Sequence, residues 1–164
     1  MDNVEARPMG RSRSIMTELV FPTDTNHHGT MFGGTLMNYI DKISAIAAMR
    51  HCGKPVVTAS TDSLDFLAPI RMGETVELEA FVTWTHRSSM EVYVVVRAEN
   101  LFSGHRRVTC TAFSTFVAVD EQGKPVAVPP VAPENDAERK LHDSAPERYE
   151  QRKKRRAQRF TTTE

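Results

Sequence analysis

The sequence predicts an α+β domain in which one long helix packs against a large curved antiparallel sheet, on two observations. Between Gly34 and Arg50, apolar residues recur at Leu36, Ile40, Ile43 and Ala47, with Met37 and Ala48 widening the stripe, which is the spacing of one helix face. Beyond Pro55 the period changes to two: Val76, Leu78, Ala80, Val82 and Trp84 alternate with Glu77, Glu79, Phe81 and Thr83, and Val92, Val94 and Val96 repeat the pattern.

The elements follow in order. Residues 1–14 are polar and basic and are expected to form a flexible tail, and residues 15–125 hold nearly all the periodic apolar pattern. Cys52-Gly53-Lys54-Pro55 ends the helix, because glycine accepts a left-handed cap and proline cannot continue the helix. Strands are expected over Val56 to Phe66, Thr75 to Trp84, Glu91 to Leu101 and Arg107 to Val119, with turn chemistry in each separator, including His86 to Ser89 and Ser103-Gly104. Strands of this length bend into a strongly curved sheet. Residues 126–164 read as a Pro-rich linker and a charged helical tail. Pro125, Pro129, Pro130 and Pro133 break regular structure until Asn135, and Ser144-Ala145-Pro146-Glu147 has the form of a capping box opening a short helix. That helix carries Arg148, Arg152, Lys153, Lys154, Arg155, Arg156 and Arg159, either as a solvated face or as a binding site for phosphates.

Composition excludes several classes. The 164 residues suffice for one domain, and 21 Lys plus Arg balance 21 Asp plus Glu, so overall charge does not point to nucleic acid. No apolar run approaches the roughly 20 residues of a membrane span, and the start of the chain lacks the apolar core of a secretory signal, so a cytoplasmic location is expected. Cys52 and Cys110 form no C-x-x-C and no zinc-ligand spacing, so no metal is expected and both thiols read as small core groups.

Chemistry concentrates in Asp24-Thr25-Asn26-His27-His28-Gly29-Thr30-Met31-Phe32-Gly33-Gly34, a polar, glycine-rich segment running into the helix. The start of a helix offers unpaired N–H groups and a partial positive charge, and glycine lets a ligand oxygen come close. The same composition also serves a plain turn before a helix; it is neither a P-loop nor G-x-G-x-x-G. Asp41 is the second anomaly, an acid inside the most apolar helix, about 10 Å along the axis from Gly34. It is either a surface neighbour of Lys42 or a carboxylate held in a cleft as a base. His27 and His28 lack a third metal ligand at suitable spacing and read as loop histidines.

Asp24-Thr25-Asn26, Gly29, Phe32-Gly33-Gly34, Leu36-Met37 and Ile40-Asp41, followed by Val57-Thr58-Ala59-Ser60, Asp65-Phe66, Pro69 and Gly73-Glu74, resemble the hotdog-fold acyl-CoA thioesterases of the bacterial YciA and mammalian brain acyl-CoA hydrolase type. The resemblance spans residues 15–120. It implies a central helix wrapped by the sheet, dimers joined sheet edge to sheet edge, trimers of dimers, and a site between subunits with Asn26 and Asp41 from opposite chains and Thr58 nearby. The implied reaction hydrolyses an acyl-CoA thioester without cofactor. The Gly33 and Gly34 N–H groups would stabilise the oxyanion, Asp41 would act as general base or nucleophile, Asn26 would hold the water or carbonyl, and Thr58 would position Asp41 or water. Arg87-Ser88-Ser89-Met90 resembles the family turn that contacts CoA, and Arg107 is a further candidate for its phosphates; either arginine also reads as plain surface. Phe32, with Met37, Phe66 and Met72, is a candidate lining for an acyl channel, although such residues are more often core. Two other readings remain: a hotdog hydratase pairing His27 or His28 with Asp41, and a non-catalytic acyl-CoA or nucleic-acid binder using the basic tail.

Overall fold

The structure is a computed structural model and describes residues 5–158. In chain order the elements are β1 (Arg7–Pro8), a 3-10 turn (Met9–Ser12), β2 (Ser14–Leu19), a second 3-10 turn (Pro22–Asp24), α1 (Gly33–Cys52), β3 (Val56–Phe66), β4 (Thr75–His86), β5 (Ser89–Glu99), β6 (Arg106–Ala118), β7 (Val131–Ala132) and α2 (Asp136–Ala157). Five strands make an antiparallel sheet in the order β2-β4-β5-β6-β3, and β1 pairs in parallel with β7.

The alternating residues do what their period requires. Leu36, Ile40, Ile43, Ala47 and Ala48 of α1 pack on Val76, Leu78, Ala80 and Val82 of β4 and on Val92, Val94 and Val96 of β5, all essentially removed from water. Each such branched aliphatic side chain contributes about 1.5–3 kcal/mol by burial. Gly53 ends α1 at φ 69°, the left-handed cap expected there. The α+β architecture, with a long helix wrapped by a curved antiparallel sheet, is the one the sequence predicts.

Three expectations are corrected and one further strand is found. Part of the expected tail is built into the fold: Met9 and Ser12 are fully buried, and the Ser12 hydroxyl accepts a hydrogen bond from Val82 N at 2.9 Å. β2 was not foreseen, because an edge strand that buries only Ser14 shows no apolar alternation. Trp84 leaves the inward row of β4 because the register shifts between Val82 and Trp84, and its ring instead meets Tyr149 of α2 at 5.3 Å. Finally, α2 starts well before Ser144. Asn135 is its cap, its side chain accepting from Glu138 N at 2.9 Å, and Pro146 lies inside the helix. Ser144 serves the helix from within: its hydroxyl donates to the carbonyls of Lys140 and Leu141 (2.8 and 3.1 Å), and Arg148 donates to Leu141 O (2.8 Å), in the turn where proline disrupts regular bonding.

α2 covers the outer face of the sheet. Arg148 grips Glu91 of β5 with bonds of 2.8 and 2.9 Å and lies 4.1 Å above the Phe113 ring, and Arg13 joins Glu138 at 3.1 Å. This is a solvated helix packed at one edge: Arg148 and Arg152 bond inward, Arg155 reaches Asp62 from an exposed position, and Lys153, Lys154 and Arg156 face solvent; Arg159 lies outside the described residues. Burial pushes the Cys110 thiol up to about 11, as suits a core residue and not a nucleophile. Among the described residues, no helix is long and apolar enough to cross a membrane.

His51, fully buried at the end of α1, joins Pro129 O at 2.8 Å and so pins the proline-rich return segment. Desolvation lowers its pKa below the ordinary 6.5, outweighing that hydrogen bond. The unfolded chain therefore takes up this proton first as pH falls. The stability of neutral His51 is complete above 6.5 and is lost as pH drops from there through the lower folded value. Melting temperature is expected to decline over that interval, and His51→Gln to flatten the decline. An identical slope in the variant would exclude His51 as its source.

Candidate active site

Asn26 organises the loop that leads into α1. Its side-chain oxygen accepts from His28 N (2.9 Å) and Thr30 N (3.3 Å), its amide nitrogen donates to Thr30 Oγ1 (3.0 Å), and Gly29 turns at φ 73°. Phe32 N bonds Asp24 O at 2.9 Å and Met31 N bonds Ile70 O at 2.8 Å, so the loop is braced against the turn before β4. His27 and His28 are exposed, with ring centroids 3.8 Å apart, and among the described residues neither bonds Asp41.

Phe32 caps α1 without a side-chain hydrogen bond, which leaves the first-turn N–H groups of Gly33 and Gly34 to solvent or a ligand. The two glycines differ. A Cβ on Gly33 would lie 3.2 Å from the Phe66 ring, whereas one on Gly34 would meet nothing within 4 Å. Packing therefore explains the glycine at 33 and not the one at 34.

Asp41 lies on the exposed side of α1, facing β3, where Thr58 Oγ1 donates to Asp41 Oδ1 at 2.8 Å. That bond fixes one carboxylate oxygen and leaves the other free to take a proton. Gly34 and Asp41 both line a cavity of about 330 Å³ with Met37, Asn38, Ile40, Thr61, Leu64 and Ser114. Thr61, Leu64 and Ser114 were not foreseen; they enter through the pairing of β3 with β6, which no local pattern reveals.

Within one chain Asp41 is bonded to Thr58 and shares a cavity with Gly34, while the Asn26 side chain is bonded within its own loop to His28 and Thr30. Among the described residues no hydrogen bond joins Asn26 to Asp41. Seven helical residues put Gly34 and Asp41 about 10 Å apart along the axis, at two points of the cavity they share. Among the described residues β3 meanwhile has no strand partner on its outer side, and its edge leaves Val57 50% exposed and Phe66 55% exposed. Phe32, Met37 and Met72 are also exposed, so the core reading of these four large residues fails.

The phosphate candidates separate likewise. Arg87, Ser88 and Ser89 form the β4–β5 hairpin tip and line a cavity of about 260 Å³ with His86 and with Tyr149, Arg152, Lys153 and Arg156 of α2. Arg107 stands at the other end of the sheet. Nine residues of β5 separate Ser89 from Ala98, the register partner of Arg107, or roughly 30 Å at strand rise. It is occupied there by Glu74 (2.7 and 2.8 Å) and Pro69 O (2.7 Å), and the Arg107 hydrogen bond holds the buried Glu74 carboxyl below its usual range. No group of three His, Cys, Asp or Glu side chains among the described residues is placed to hold a metal ion.

A long helix wrapped by a curved antiparallel sheet defines a hotdog-type domain. A family model described as "Thioesterase superfamily" matches residues 28–101. The Bacillus subtilis protein described as uncharacterized acyl-CoA thioester hydrolase YkhA is 51% identical over 94% of this chain and 90% of its own. The acyl-CoA hydrolase of Staphylococcus aureus, solved with butyryl coenzyme A, coenzyme A and coenzyme A disulfide, is 49% identical and superposes with a TM-score of 0.88 over 93% of each chain. A hexameric acyl-CoA thioesterase in its apo form is 52% identical, with a TM-score of 0.92 over 95% of this chain and all of that one. The S. aureus hydrolase has also been solved as aspartate-, threonine- and asparagine-to-alanine variants, the last with coenzyme A. The chain belongs to the hotdog-fold acyl-CoA thioester hydrolases.

Proposed function

We propose that this chain hydrolyses acyl-CoA thioesters at a site completed by a second copy of itself: Asn26, Gly33 and Gly34 come from one subunit, Asp41 and Thr58 from the other. The observation that carries the reading is the Thr58–Asp41 hydrogen bond, set about 10 Å along α1 from glycine N–H groups that have no acceptor among the described residues. Two such chains related by a two-fold axis would lay each half against the complement of the other. The unpartnered edge of β3 supplies a surface on which sheets join, and the hexameric relative is consistent with dimers associating further. In the S. aureus hydrolase the altered asparagine, aspartate and threonine are spaced along the chain as Asn26, Asp41 and Thr58 are here.

In the proposed reaction the Gly33 and Gly34 N–H groups bind the thioester oxygen and stabilise its developing negative charge. Asp41 takes a proton from water as that water attacks the carbonyl carbon, that proton passes to the departing thiolate, and the carboxylic acid formed loses its remaining proton to solvent, leaving a carboxylate and free CoA. Alternatively Asp41 attacks the carbonyl carbon itself, expelling the CoA thiolate and forming an anhydride that water then hydrolyses to the carboxylate, restoring Asp41. Asn26 holds the water or the carbonyl. Arg87, Ser88 and Ser89 are proposed contacts for the CoA phosphates, and Phe32 lines the acyl path. Arg107, committed to Glu74, is assigned to fold stability instead.

The test is release of free thiol by the full chain from acyl-CoAs running from acetyl to palmitoyl. Thiol appearing in step with carboxylate supports the reading. Loss of an enoyl-CoA double bond with no thiol release would replace it with a hydratase.

A further inference from the structure

We infer that Asp62, held by Arg152 and Arg155 of α2, is a positioning residue for the Asp41–Thr58 pair, so that the C-terminal helix governs the rate of hydrolysis through that pair. The inference rests on the function proposed above.

Among the described residues β3 pairs only with β6, and its register shifts twice, between Thr58 and Ser60 and between Thr61 and Ser63. Ala59 and Asp62 are the extra residues. A strand at an edge with two bulges loses ladder bonds where it most needs them, since Thr58 stands immediately before the first shift. A one-residue slip there would turn Thr58 to the opposite face of the sheet and break its 2.8 Å bond to Asp41.

Asp62 supplies the missing hold. Its side chain is only 9% exposed, and both of its oxygens are engaged. Oδ1 accepts from Ser60 Oγ at 2.6 Å and from Arg155 Nη2 at 2.8 Å; Oδ2 accepts from Thr115 Oγ1 at 2.6 Å and pairs with Arg152 Nη1 at 3.5 Å. Arg152 also donates to Thr115 Oγ1 at 2.7 Å, and Arg155 to the Asp62 carbonyl at 3.3 Å. The bulged stretch of β3 is thus bolted to β6 on one side and to α2 above it. Sequence offered only a polar run, Ser60-Thr61-Asp62-Ser63, and a basic helix more than eighty residues later.

The test measures kcat, KM and melting temperature of Arg155→Ala and Asp62→Asn, alone and combined with Thr58→Val. The Arg155 side chain is 52% exposed, so its removal spares the core and keeps the test informative even where Asp62→Asn folds poorly. Arg155→Ala is expected to lower kcat about 10-fold with KM and melting temperature unchanged, because small displacements of a reacting group are costly. In the Thr58→Val background the same change is expected to cost nothing more, since the group through which it acts is gone. Wild-type kcat in Arg155→Ala, or losses that add in full to that of Thr58→Val, overturns the inference. A wild-type chain that releases no thiol overturns the functional reading itself, so the two failures are distinct.

Discussion

Asp41→Ala is expected to lower kcat for acyl-CoA hydrolysis by roughly 10² to 10⁴, the range a positioned general base supplies. The fold should persist, because Asp41 lies on the exposed side of α1 and its hydrogen bond is to Thr58 at the equally exposed start of β3. Alanine is also the better helix former at that position. Activity loss with an unchanged melting temperature therefore separates a chemical role from a structural one. Full activity in the folded variant would remove Asp41 from the mechanism, whether as base or as nucleophile. Thiol release is the measurement in each case.

Gly34→Ala is the second large effect and the less intuitive one. A methyl group at this position meets nothing within 4 Å, and glycine in a helix costs roughly 0.5–1 kcal/mol relative to alanine, so the variant should fold at least as well as the wild type. Yet the added Cβ would occupy the space through which the thioester oxygen approaches the first-turn N–H groups. Loss of one oxyanion donor typically costs about 2.7–4 kcal/mol, so kcat should fall by roughly 10² to 10³ while the melting temperature holds or rises. Gly33→Ala makes a poorer probe, since the Phe66 ring at 3.2 Å must move to admit it. A Gly34→Ala enzyme of undiminished kcat would mean that the helix start does not hold the oxyanion.

Much of this architecture is legible in the chain because short-range physics dictates it. The apolar stripe from Leu36 to Ala47 and the inward row from Val76 to Val82 announce their periods, and Gly53 announces the helix end. What escaped detection depends on distant partners. β1 is two residues long and exists because Arg7 and Pro8 meet Val131 and Ala132. Trp84 changed face because of a single bulge in β4, and Ser144 looked like a cap because Ser-x-x-Glu is the right motif, although Asn135 and Glu138 offer a competing one nine residues earlier. The same division runs through the site. Asn26, Gly33, Gly34 and Asp41 stand out as anomalies of residue type and position, while the bond from Thr58 to Asp41, the capture of Arg107 by Glu74 and the Asp62 network are matters of sheet register.

The exposed apolar residues around the site have a common explanation in assembly. Phe32, Met37, Val57, Phe66 and Met72 are each between 45% and 55% exposed in the single chain and surround the start of α1 and the free edge of β3. Exposed apolar clusters of this kind mark interaction surfaces. Covering them in a dimer would remove water from the same region in which the proposed hydrolysis needs an ordered attacking molecule.

The most direct measurement mixes subunits. Asn26→Ala and Asp41→Ala chains, each inactive alone, are to be co-expressed and assayed for thiol release as a mixed assembly. If each site draws Asn26 from one subunit and Asp41 from the other, random pairing restores about a quarter of the wild-type sites, because every mixed dimer carries one intact site and one doubly altered site. Activity of the mixture that stays at the level of the single variants would contradict a site shared between two copies of this chain.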